Sequence, residues 1–537
     1  MSVPAPRAPR ITVRGDCPPD TEAAIRRAFS DGQVDASRAA ALVDLPGHFT
    51  ATATFPDRDV IVTSRSGAVA HYYDTTTSAA HGPSVTDVLD LARRAPRWNA
   101  AALADHLVHG HPLGDTTLDR DVRRVPAGAV LTAALPRPGL LVVPPRTREP
   151  EPPRAAARTA LTALRAAVRD AARTPCALSM SGGLDARLLL AALLADGIAP
   201  RLLISGVAGS FDRTVALAIA RDFGLPHDVH TVSEPTLVAS ADRVTAATDG
   251  LLPISNWAGM AHVAEAGRTE PVLFGYHGEL ARAYHLPALG RHAWPRTARP
   301  AEEAPTYLIE RAGGDPFLPG ERHRLADELR EALRPEAMAE RVRAALPRGT
   351  LQGTLLGASE AFFRTQYGHR KIAANLAAIS TFTHWRVPLL APGWSDAVQA
   401  LPRSWKLGDR WHRWAIGLLC PALLRYPEER YGAVTSRRPP LRYWLRGPAL
   451  PDTPFYADQK PLRAPGELLD GLAVADASAL APLLDPALVG EFARAQAGGS
   501  ARPHLCFALS ALAGWGRTVR LPLRSGRPDK ERRCQGS

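Results

Sequence analysis

Residues 176–192, CALSMSGGLDARLLLAA, place a serine, a glycine pair and an aspartate between an apolar run and a leucine-rich run. This order predicts a strand, a tight loop and the start of a helix. Gly182 and Gly183 allow close approach of a phosphate, and the helix start offers unsatisfied N–H groups to negative charge. Ser181 adds a hydroxyl, and Asp185 adds the carboxylate oxygens that Mg²⁺ prefers. The plainer alternative is an ordinary strand-to-helix turn capped by Asp185.

Two further predicted strands end in a glycine that an acidic residue follows. ISG ends at Gly206, and Asp212 opens the next helix; VLFGYHGE contains Gly275 and Glu279. The carboxyl ends of parallel strands meet at one edge of a sheet, where ligands bind. We therefore expect Gly206 and Gly275 to join the phosphate loop at one nucleotide site. Asp185 is the expected metal ligand there.

The first part of the chain shows mainly strand and turn patterns. FTATATF (49–55) and VIVTS (60–64) alternate around PDRD and predict a hairpin, and AALADHLVHG (101–110) predicts a short amphipathic helix. Residues 136–153 are rich in proline, which is typical of a linker.

Beyond the linker, helix and strand patterns alternate. A helix is predicted at 154–173, a strand at 201–206, a helix at 214–224 and a strand at 272–279, and helical runs dominate from about residue 305. This alternation predicts a mostly parallel sheet covered by helices.

Composition limits the classes to which the chain can belong. A length of 537 residues predicts two or three domains, and 45% hydrophobic with 22% charged residues is typical of globular proteins.

No signal peptide or long uncharged apolar run is found, which favours a cytoplasmic protein without a membrane partner. The net charge of +12 comes mainly from scattered arginines, so no nucleic-acid partner is predicted. The five cysteines have neither metal-ligand nor disulfide-framework spacing.

Together these motifs resemble the asparagine synthetase family. SGGLDA (181–186) is similar to the family's SGGxDS loop, with Ala186 in place of the last serine; the aspartate-capped helix after ISG and the loop FGYHGE (274–279) resemble its next two motifs. The resemblance covers residues 15–432 and is greatest to the branch of β-lactam synthetases and lasso-peptide macrolactam cyclases. It implies that Ala186 still contributes its backbone amide to the phosphate site. It also implies that Glu279, in the place of an aspartate of the family, is a metal ligand together with Asp185.

The resemblance implies an α/β fold in two main parts. The first is an Ntn-hydrolase-like (glutaminase-like), β-rich αββα domain, and the second is a PP-loop adenylating synthetase domain with a parallel sheet and a helical C-terminal part. The expected divisions are an inactive glutaminase-like domain at 1–135, the linker at 136–153, the ATP-binding synthetase domain at 154–450 and a C-terminal extension with a basic tail at 451–537.

Glutamine-dependent members of the family use an N-terminal cysteine as nucleophile. This sequence begins Met1-Ser2, and a serine hydroxyl is a weaker nucleophile at neutral pH. The resemblance then implies that glutaminase activity is absent and that the attacking nitrogen is an amine of the substrate itself.

The second half of the expected site departs from the family pattern. Arg386 and Pro388 match it, but His384 stands in the place of a glutamate, and Arg430 is the nearest match to a lysine. Arginine stays charged, so Arg430 is expected to stabilise pyrophosphate or an oxyanion, while His384 or Tyr367 is expected to act as general base. Ordinary core or surface roles are the alternative for all three.

The resemblance implies an AMP-forming carbon–nitrogen ligase that uses ATP and Mg²⁺. The expected reaction closes a macrolactam ring on a precursor peptide of the lasso type, with leader-peptide-binding and protease partners. Two alternatives stay open: a small-molecule ligase, such as an asparagine synthetase or a β-lactam synthetase, and a catalytically inactive member that serves as a scaffold.

Overall fold

A computed structural model describes most of the chain. The described residues are 9–30, 36–77, 80–134, 138–144, 151–206, 208–231, 234–257, 260, 262–265, 270–283, 295, 297–428, 433–434, 477–497 and 503–520. The predicted site residue Arg430 and the basic tail lie outside them.

Two antiparallel sheets form the first part. Their strands are β1 (Arg10–Asp16), β2 (His48–Thr54), β3 (Asp59–Thr63), β4 (Tyr72–Asp74), β5 (His81–Gly82), β6 (Val122–Arg124), β7 (Ala129–Ala133) and β8 (Gly139–Val142). The larger sheet has the order β1-β2-β3-β7-β8 and the smaller one the order β5-β4-β6. The predicted hairpin is confirmed as β2 and β3, with Ala51 paired to Val62.

Helices cover both sheets on their outer sides. These helices are α1 (Pro19–Ser30), α2 (Ala36–Val43), α3 (Val85–Ala92) and α4 (Ala100–His109). Ile25 and Phe29 of α1 pack on one face of the larger sheet, and Ile61 and Leu131 on its other face pack with Tyr73 of the smaller sheet. Alternation along β3 therefore separates two apolar layers.

The second part is built on a parallel sheet. Its strands are β9 (Ala177–Met180), β10 (Arg201–Ser205), β11 (His227–His230), β12 (Val272–Leu273) and β13 (Trp385–Arg386), and a separate pair is formed by β14 (Pro427–Glu428) and β15 (Ala433–Val434). The order β11-β10-β9-β12-β13 puts β9 at the centre. The predicted parallel sheet is confirmed.

Both faces of this sheet are apolar because helices cover both. The helices up to the end of β12 are α5 (Pro153–Ala171), α6 (Leu184–Ala195), α7 (Phe211–Asp222), α8 (Glu234–Ala247), α9 (Ile254–Trp257) and α10 (His262–Glu265). Leu178 and Ile204 face α5, α6 and α7, while Ala177 and Leu203 face α8 and α9. A doubly covered parallel sheet requires such continuous apolar strands.

The rest of the described chain is helical, as predicted. It contains α11 (Ala304–Ala312), α12 (Asp327–Ala332), α13 (Pro335–Ala345), α14 (Leu355–Phe362), a π-helix (Phe363–Ile372), α15 (Ala373–Ser380), α16 (Pro392–Gln399), α17 (Arg403–Lys406), α18 (Arg410–Leu419), α19 (Ala487–Ala497) and α20 (Pro503–Arg520). Short 3₁₀ turns connect several of these helices. The ten-residue π-helix joins α14 and α15 without a break, and π-helical turns occur often at functional sites.

Two segments differ in structure from their sequence interpretation. Residues 139–142, inside the predicted linker, form β8 and pair with β7, because four consecutive residues without proline leave the backbone free to join the sheet edge. In the predicted C-terminal extension, Trp515 of α20 packs edge-on against Trp98, with ring centroids 5.6 Å apart.

Among the described residues, no helix is both long and apolar enough to cross a membrane.

Candidate active site

The chain changes direction across the parallel sheet at β9. From β9 it proceeds through β10 to β11 on one side, and then returns to place β12 and β13 on the other side. The loop after β9 (residues 181–185, the phosphate loop) and the loop after β12 (residues 274–279, the acidic loop) therefore leave the sheet side by side at its carboxyl edge. A crevice of this kind is where open α/β sheets bind ligands.

The two loops touch through glycines. A Cβ atom at Gly278 would collide with the Asp185 carboxylate and lie 2.9 Å from the Asp185 Cβ. A Cβ atom at Gly275 would lie 3.3 Å from the backbone nitrogen of Ala186. The predicted proximity of the phosphate loop and the acidic loop is thus a feature of the structure, and only a glycine at 278 permits it.

A hydrogen bond within the phosphate loop shapes its turn. Ser181 Oγ accepts a hydrogen bond of 3.1 Å from the Gly183 N–H, so the serine shapes the turn. Gly183 precedes the twelve-residue helix α6, and no side chain in the described ranges caps that helix start. The first N–H groups of α6 and its dipole are therefore available to an anion, in agreement with the phosphate role expected from the sequence.

The neighbouring strand β10 also ends at a glycine. Gly206 follows β10 with φ of +136°, a conformation that favours glycine, and its N–H donates to His230 O at 3.2 Å. A Cβ atom on Gly182 would lie 2.9 Å from Asp212 Oδ1, so the start of α7 rests against the phosphate loop. Gly206 and Asp212 thus lie at the same sheet edge as Gly182.

Asp185 is the centre of a buried ionic network. Its Oδ1 accepts a hydrogen bond of 2.8 Å from His412 Nε2, and its Oδ2 accepts one of 3.0 Å from Arg282. Arg282 also donates to Asp409 Oδ1 at 3.0 Å. Burial opposes ionisation of Asp185, but the charge of Arg282 and the hydrogen bond from His412 outweigh it and hold the pKa of Asp185 below its ordinary value.

The partners of Asp185 come from a turn distant in sequence. Gly408 and Asp409 both have left-handed backbones, with φ of +65° and +56°. For aspartate this conformation is uncommon and costs energy. The turn directs Asp409 to Arg282 and begins α18, which carries the fully buried His412.

Arg187 joins the phosphate loop to the end of the helical part. Its guanidinium donates to Gly182 O at 2.6 Å and to Tyr426 O at 3.1 Å, and it also donates to Pro427 O. The side chain is fully buried. A buried arginine that donates to backbone carbonyls fixes the position of the loop against residues 426–427.

The carboxylates offer a partial fit to Mg²⁺. Asp185 and Glu279 lie on the touching loops, and a carboxylate has about four lone-pair positions, of which Asp185 uses two. A magnesium ion would share Asp185 with Arg282 and would need phosphate oxygens to complete its coordination. Within the described ranges, no group of three or more His, Cys, Asp or Glu residues is arranged to hold a metal ion.

The predicted general base Tyr367 lies in the π-helix, which packs on the acidic loop. Its ring stacks on Phe363 with centroids 4.6 Å apart, and Phe363 stacks in turn on His277 at 5.5 Å. A Cβ atom on Gly368 would lie 2.9 Å from His277 Nε2. The structure therefore brings Tyr367 to the neighbourhood of the acidic loop, with the Phe363 ring stacked between Tyr367 and His277 of that loop.

The predicted catalytic residue His384 does not lie at the crevice. His384 is exposed and precedes β13, and its carbonyl accepts a hydrogen bond of 2.9 Å from the N–H of Val272, the first residue of β12. Because β12 and β13 are parallel, His384 lies at the edge of the sheet opposite the phosphate loop. Arg386 is buried and donates to Ala171 O at 2.6 Å, and Arg430 lies outside the described residues.

His277 has features that the sequence interpretation missed. It is buried in a left-handed backbone conformation with φ of +75°, and its Nδ1 lies 3.3 Å from Leu389 O. Burial lowers the pKa of His277 to about 4, which keeps the ring neutral at neutral pH. Two features of the sequence could have indicated these residues. Asp409 and His412 stand three positions apart at the start of α18, and His277 stands two residues before Glu279.

No family model matches the chain, and no curated protein matches its sequence. Function must therefore be inferred from the site itself.

Proposed function

We propose that this chain is an ATP-dependent ligase that forms amide bonds and releases AMP and pyrophosphate. One observation carries the proposal: a glycine phosphate loop and an acidic loop touch at the switch point of a parallel sheet, around the ionised Asp185. The finer fold assignment, an Ntn-like αββα domain followed by a PP-loop synthetase domain, belongs to the same proposal.

The reaction has two steps. A carboxylate oxygen of the acid attacks the α-phosphorus of ATP, and the bond to pyrophosphate breaks with its electron pair on the leaving group. An amine then attacks the acyl carbon, the C–O bond to AMP breaks, and the amine gives up a proton. When bound, Mg²⁺ supplies charge neutralisation for the polyphosphate.

The described residues support the first step directly. The uncapped start of α6 offers N–H donors to phosphate oxygens, and Gly183 allows their close approach. Arg282 lies between Asp185 and Asp409 and offsets part of their negative charge beside the same loop. The preorganised N–H donors of α6 stabilise the negative charge that develops on a phosphate in the transition state.

The substrate class is a further part of the proposal. The sequence resemblance favours a substrate that carries both the acid and the amine, so that the second step closes a macrolactam ring in a precursor peptide. A small-molecule ligase uses the same two steps. The macrolactam-forming ligase and the small-molecule ligase differ only in the acid that supports pyrophosphate release.

A catalytically inactive member of the family is the second candidate. The placement of His384 away from the crevice favours it, because the residue expected to act as base does not meet the phosphate loop. In that case the uncapped helix start would still bind nucleotide, but no acid would support pyrophosphate release.

The test is to trap the acyl-adenylate. Purified full-length chain is incubated with ATP, Mg²⁺, candidate acids and hydroxylamine, which replaces the amine and gives a hydroxamate. We expect pyrophosphate, AMP and hydroxamate in equal amounts with at least one acid or precursor peptide. Nucleotide binding without any of these products, across peptides and amino acids, would refute the ligase and leave the inactive member.

A substitution at Asp185 makes this test specific. Asp185→Asn removes the charge that pairs with Arg282, and we expect pyrophosphate release to fall at least about 100-fold, a loss of about 2.7 kcal/mol of transition-state stabilisation. Asp57→Asn, at a position whose side chain is 68% exposed, is the matched control. Equal rates for Asp185→Asn and wild type would contradict the assigned role of the carboxylate.

A further inference from the structure

A second cavity lies between the antiparallel-sheet part and the parallel-sheet part. Its volume is about 430 Å³, and residues of both parts line it. Arg65 and Arg124 come from the first part, and Arg364 of the π-helix and His277 of the acidic loop come from the second. The cavity therefore adjoins the candidate active site along the acidic loop.

Arginines dominate the charged groups on the cavity wall. Among the described lining residues there are four arginines and two aspartates, so the wall carries an excess of positive charge: Arg65, Arg124, Arg364, Arg370, Asp115 and Asp396. Arg65 forms an ion pair with Asp44, outside the lining, which neutralises it. The other three arginines outnumber the two aspartates by one, which leaves the excess of positive charge.

Two of these arginines are held by carbonyl groups instead of carboxylates. Arg124 donates to Gly67 O at 2.6 Å and to His369 O, and Arg370 donates to Pro112 O at 3.3 Å and to Thr116 O. Neither forms an ion pair with a described carboxylate within 4 Å. Carbonyl groups satisfy the N–H donors but leave the positive charge in place.

Arg364 is the arginine that is least satisfied. It is half-buried, its Nε is shielded from solvent, and this atom has no hydrogen-bond partner among the described residues. Burial lowers the pKa of Arg364, and the charges of Asp396 and Glu360 offset this only in part. Neither of these two carboxylates forms an ion pair with Arg364. Arg364 lines the cavity, and a planar guanidinium on a cavity wall suits a carboxylate that binds through two oxygens.

The positive charge of these arginines affects the pKa values of His369 and Arg370. Burial and then the charges of Arg124 and Arg364 hold the pKa of His369 well below its usual value. Burial and then Arg124 lower the pKa of Arg370 to about 9. The cavity thus disfavours additional positive charge, and an arriving anion would relieve the repulsion.

We propose that this arginine-lined cavity binds a carboxylate of the substrate, with Arg364 as its direct contact and Arg124 and Arg370 as supporting charges. The assignment of the bound carboxylate to a substrate rests on the ligase function proposed above. It specifies an acidic substrate, such as a dicarboxylic acid or a peptide segment with an acidic side chain. Binding itself involves no covalent step and no nucleotide.

The test measures binding by calorimetry in the absence of ATP. Glutarate is titrated into the full-length wild-type chain, with glutaramide as a neutral molecule of the same shape and inorganic phosphate as a different anion. We expect glutarate to bind at least about fivefold more tightly than either. Equal binding of glutaramide would overturn the role of charge, and equal or tighter binding of phosphate would overturn the assignment to a carboxylate.

Variants of two arginines on the same wall provide the matched comparison. Arg364→Gln is expected to weaken glutarate binding at least fivefold, whereas Arg65→Gln, at an arginine already neutralised by Asp44, is expected to stay within twofold of wild type. Arg364→Lys keeps the charge without the planar fork and should weaken binding by an intermediate factor, which keeps the test valid if Arg364→Gln does not fold. Equal binding by all three variants would contradict the proposal.

The result is separable from that of the ligase assay. A chain that binds glutarate but releases no pyrophosphate refutes only the proposed function. A chain that releases pyrophosphate but does not distinguish glutarate from glutaramide refutes only the carboxylate site.

Discussion

Glycine positions determine how closely the two site loops approach each other. At 278 the Cα faces Asp185, and the space for a side chain is filled by that carboxylate. We expect Gly278→Ala to displace the acidic loop and reduce pyrophosphate release at least about tenfold, which corresponds to about 1.4 kcal/mol. The measurement is the steady-state rate with the best acid found in the trapping assay.

A second glycine provides the control for that experiment. Gly393 is the second residue of α16, and nothing lies within 4 Å of a Cβ placed on it. Gly393→Ala should retain the wild-type rate. If Gly278→Ala is as active as Gly393→Ala, the contact between the loops has no part in the reaction.

His384 offers a test of the sequence interpretation itself. Its exposed position at the opposite edge of the parallel sheet predicts that His384→Ala keeps pyrophosphate release within about twofold of wild type, because a general base must reach its proton within hydrogen-bond distance. A loss of 100-fold or more in the same assay would show that His384 does act in the reaction.

At the scale of elements, Arg187 connects the start of α6 to the segment after α18. Replacement by methionine removes the donors from three backbone carbonyls, and we expect the free energy of unfolding to fall by about 2–4 kcal/mol. Urea denaturation followed by circular dichroism measures this change.

An exposed arginine provides the comparison for Arg187. Arg169 pairs with Asp196, and its side chain is 58% exposed. Arg169→Met should lower the free energy of unfolding much less than the Arg187 variant does, because solvent screens a surface ion pair. A similar loss in both variants would show that the buried clamp contributes no more than a surface pair.

At the scale of the whole molecule, buried histidines make stability depend on pH. Burial lowers the pKa of His106 and His277 to about 4 and that of His262 to about 3. Below the unfolded value of 6.5 the unfolded chain binds these protons and the folded chain does not. Each histidine therefore removes about 1.4 kcal/mol of stability per pH unit on acidification from 6.5 towards its folded pKa.

Two buried aspartates oppose this trend. Burial raises the pKa of Asp105 and Asp249 to about 6, so the folded chain binds their protons first and gains stability as the pH falls from 6 towards 4. Histidines with lowered pKa outnumber these aspartates, since His48, His71, His109, His111 and His369 behave in the same way. The net effect is loss of stability in acid.

We therefore expect the free energy of unfolding to be lower at pH 5 than at pH 7 by at least about 3 kcal/mol, measured by urea denaturation at both values. His106→Leu should reduce this difference, since both ring nitrogens of His106 are buried and have no hydrogen-bond partner among the described residues. Equal stability at the two pH values would contradict the assignment of these imidazoles as neutral in the folded state.

The local sequence was sufficient for these elements and for the approach of the two site loops. Apolar runs bounded by glycines predicted β9, β10 and the helices that follow them, because strand and helix periods and turn residues act over short distances. The meeting of Asp185 with the acidic loop followed from one rule, that parallel strands share a carboxyl edge.

Tertiary structure alone decided the rest of the site. The pairing of Asp185 with Arg282 and His412 joins residues 97 and 227 positions apart, and no local pattern encodes such a distance. Local sequence patterns also did not indicate the edge of the sheet at which His384 lies. Nor did they indicate that two distant parts of the chain place arginines around one cavity. Residue types and spacing thus determined what chemistry the loops could support, whereas packing between distant elements determined which charges surround it.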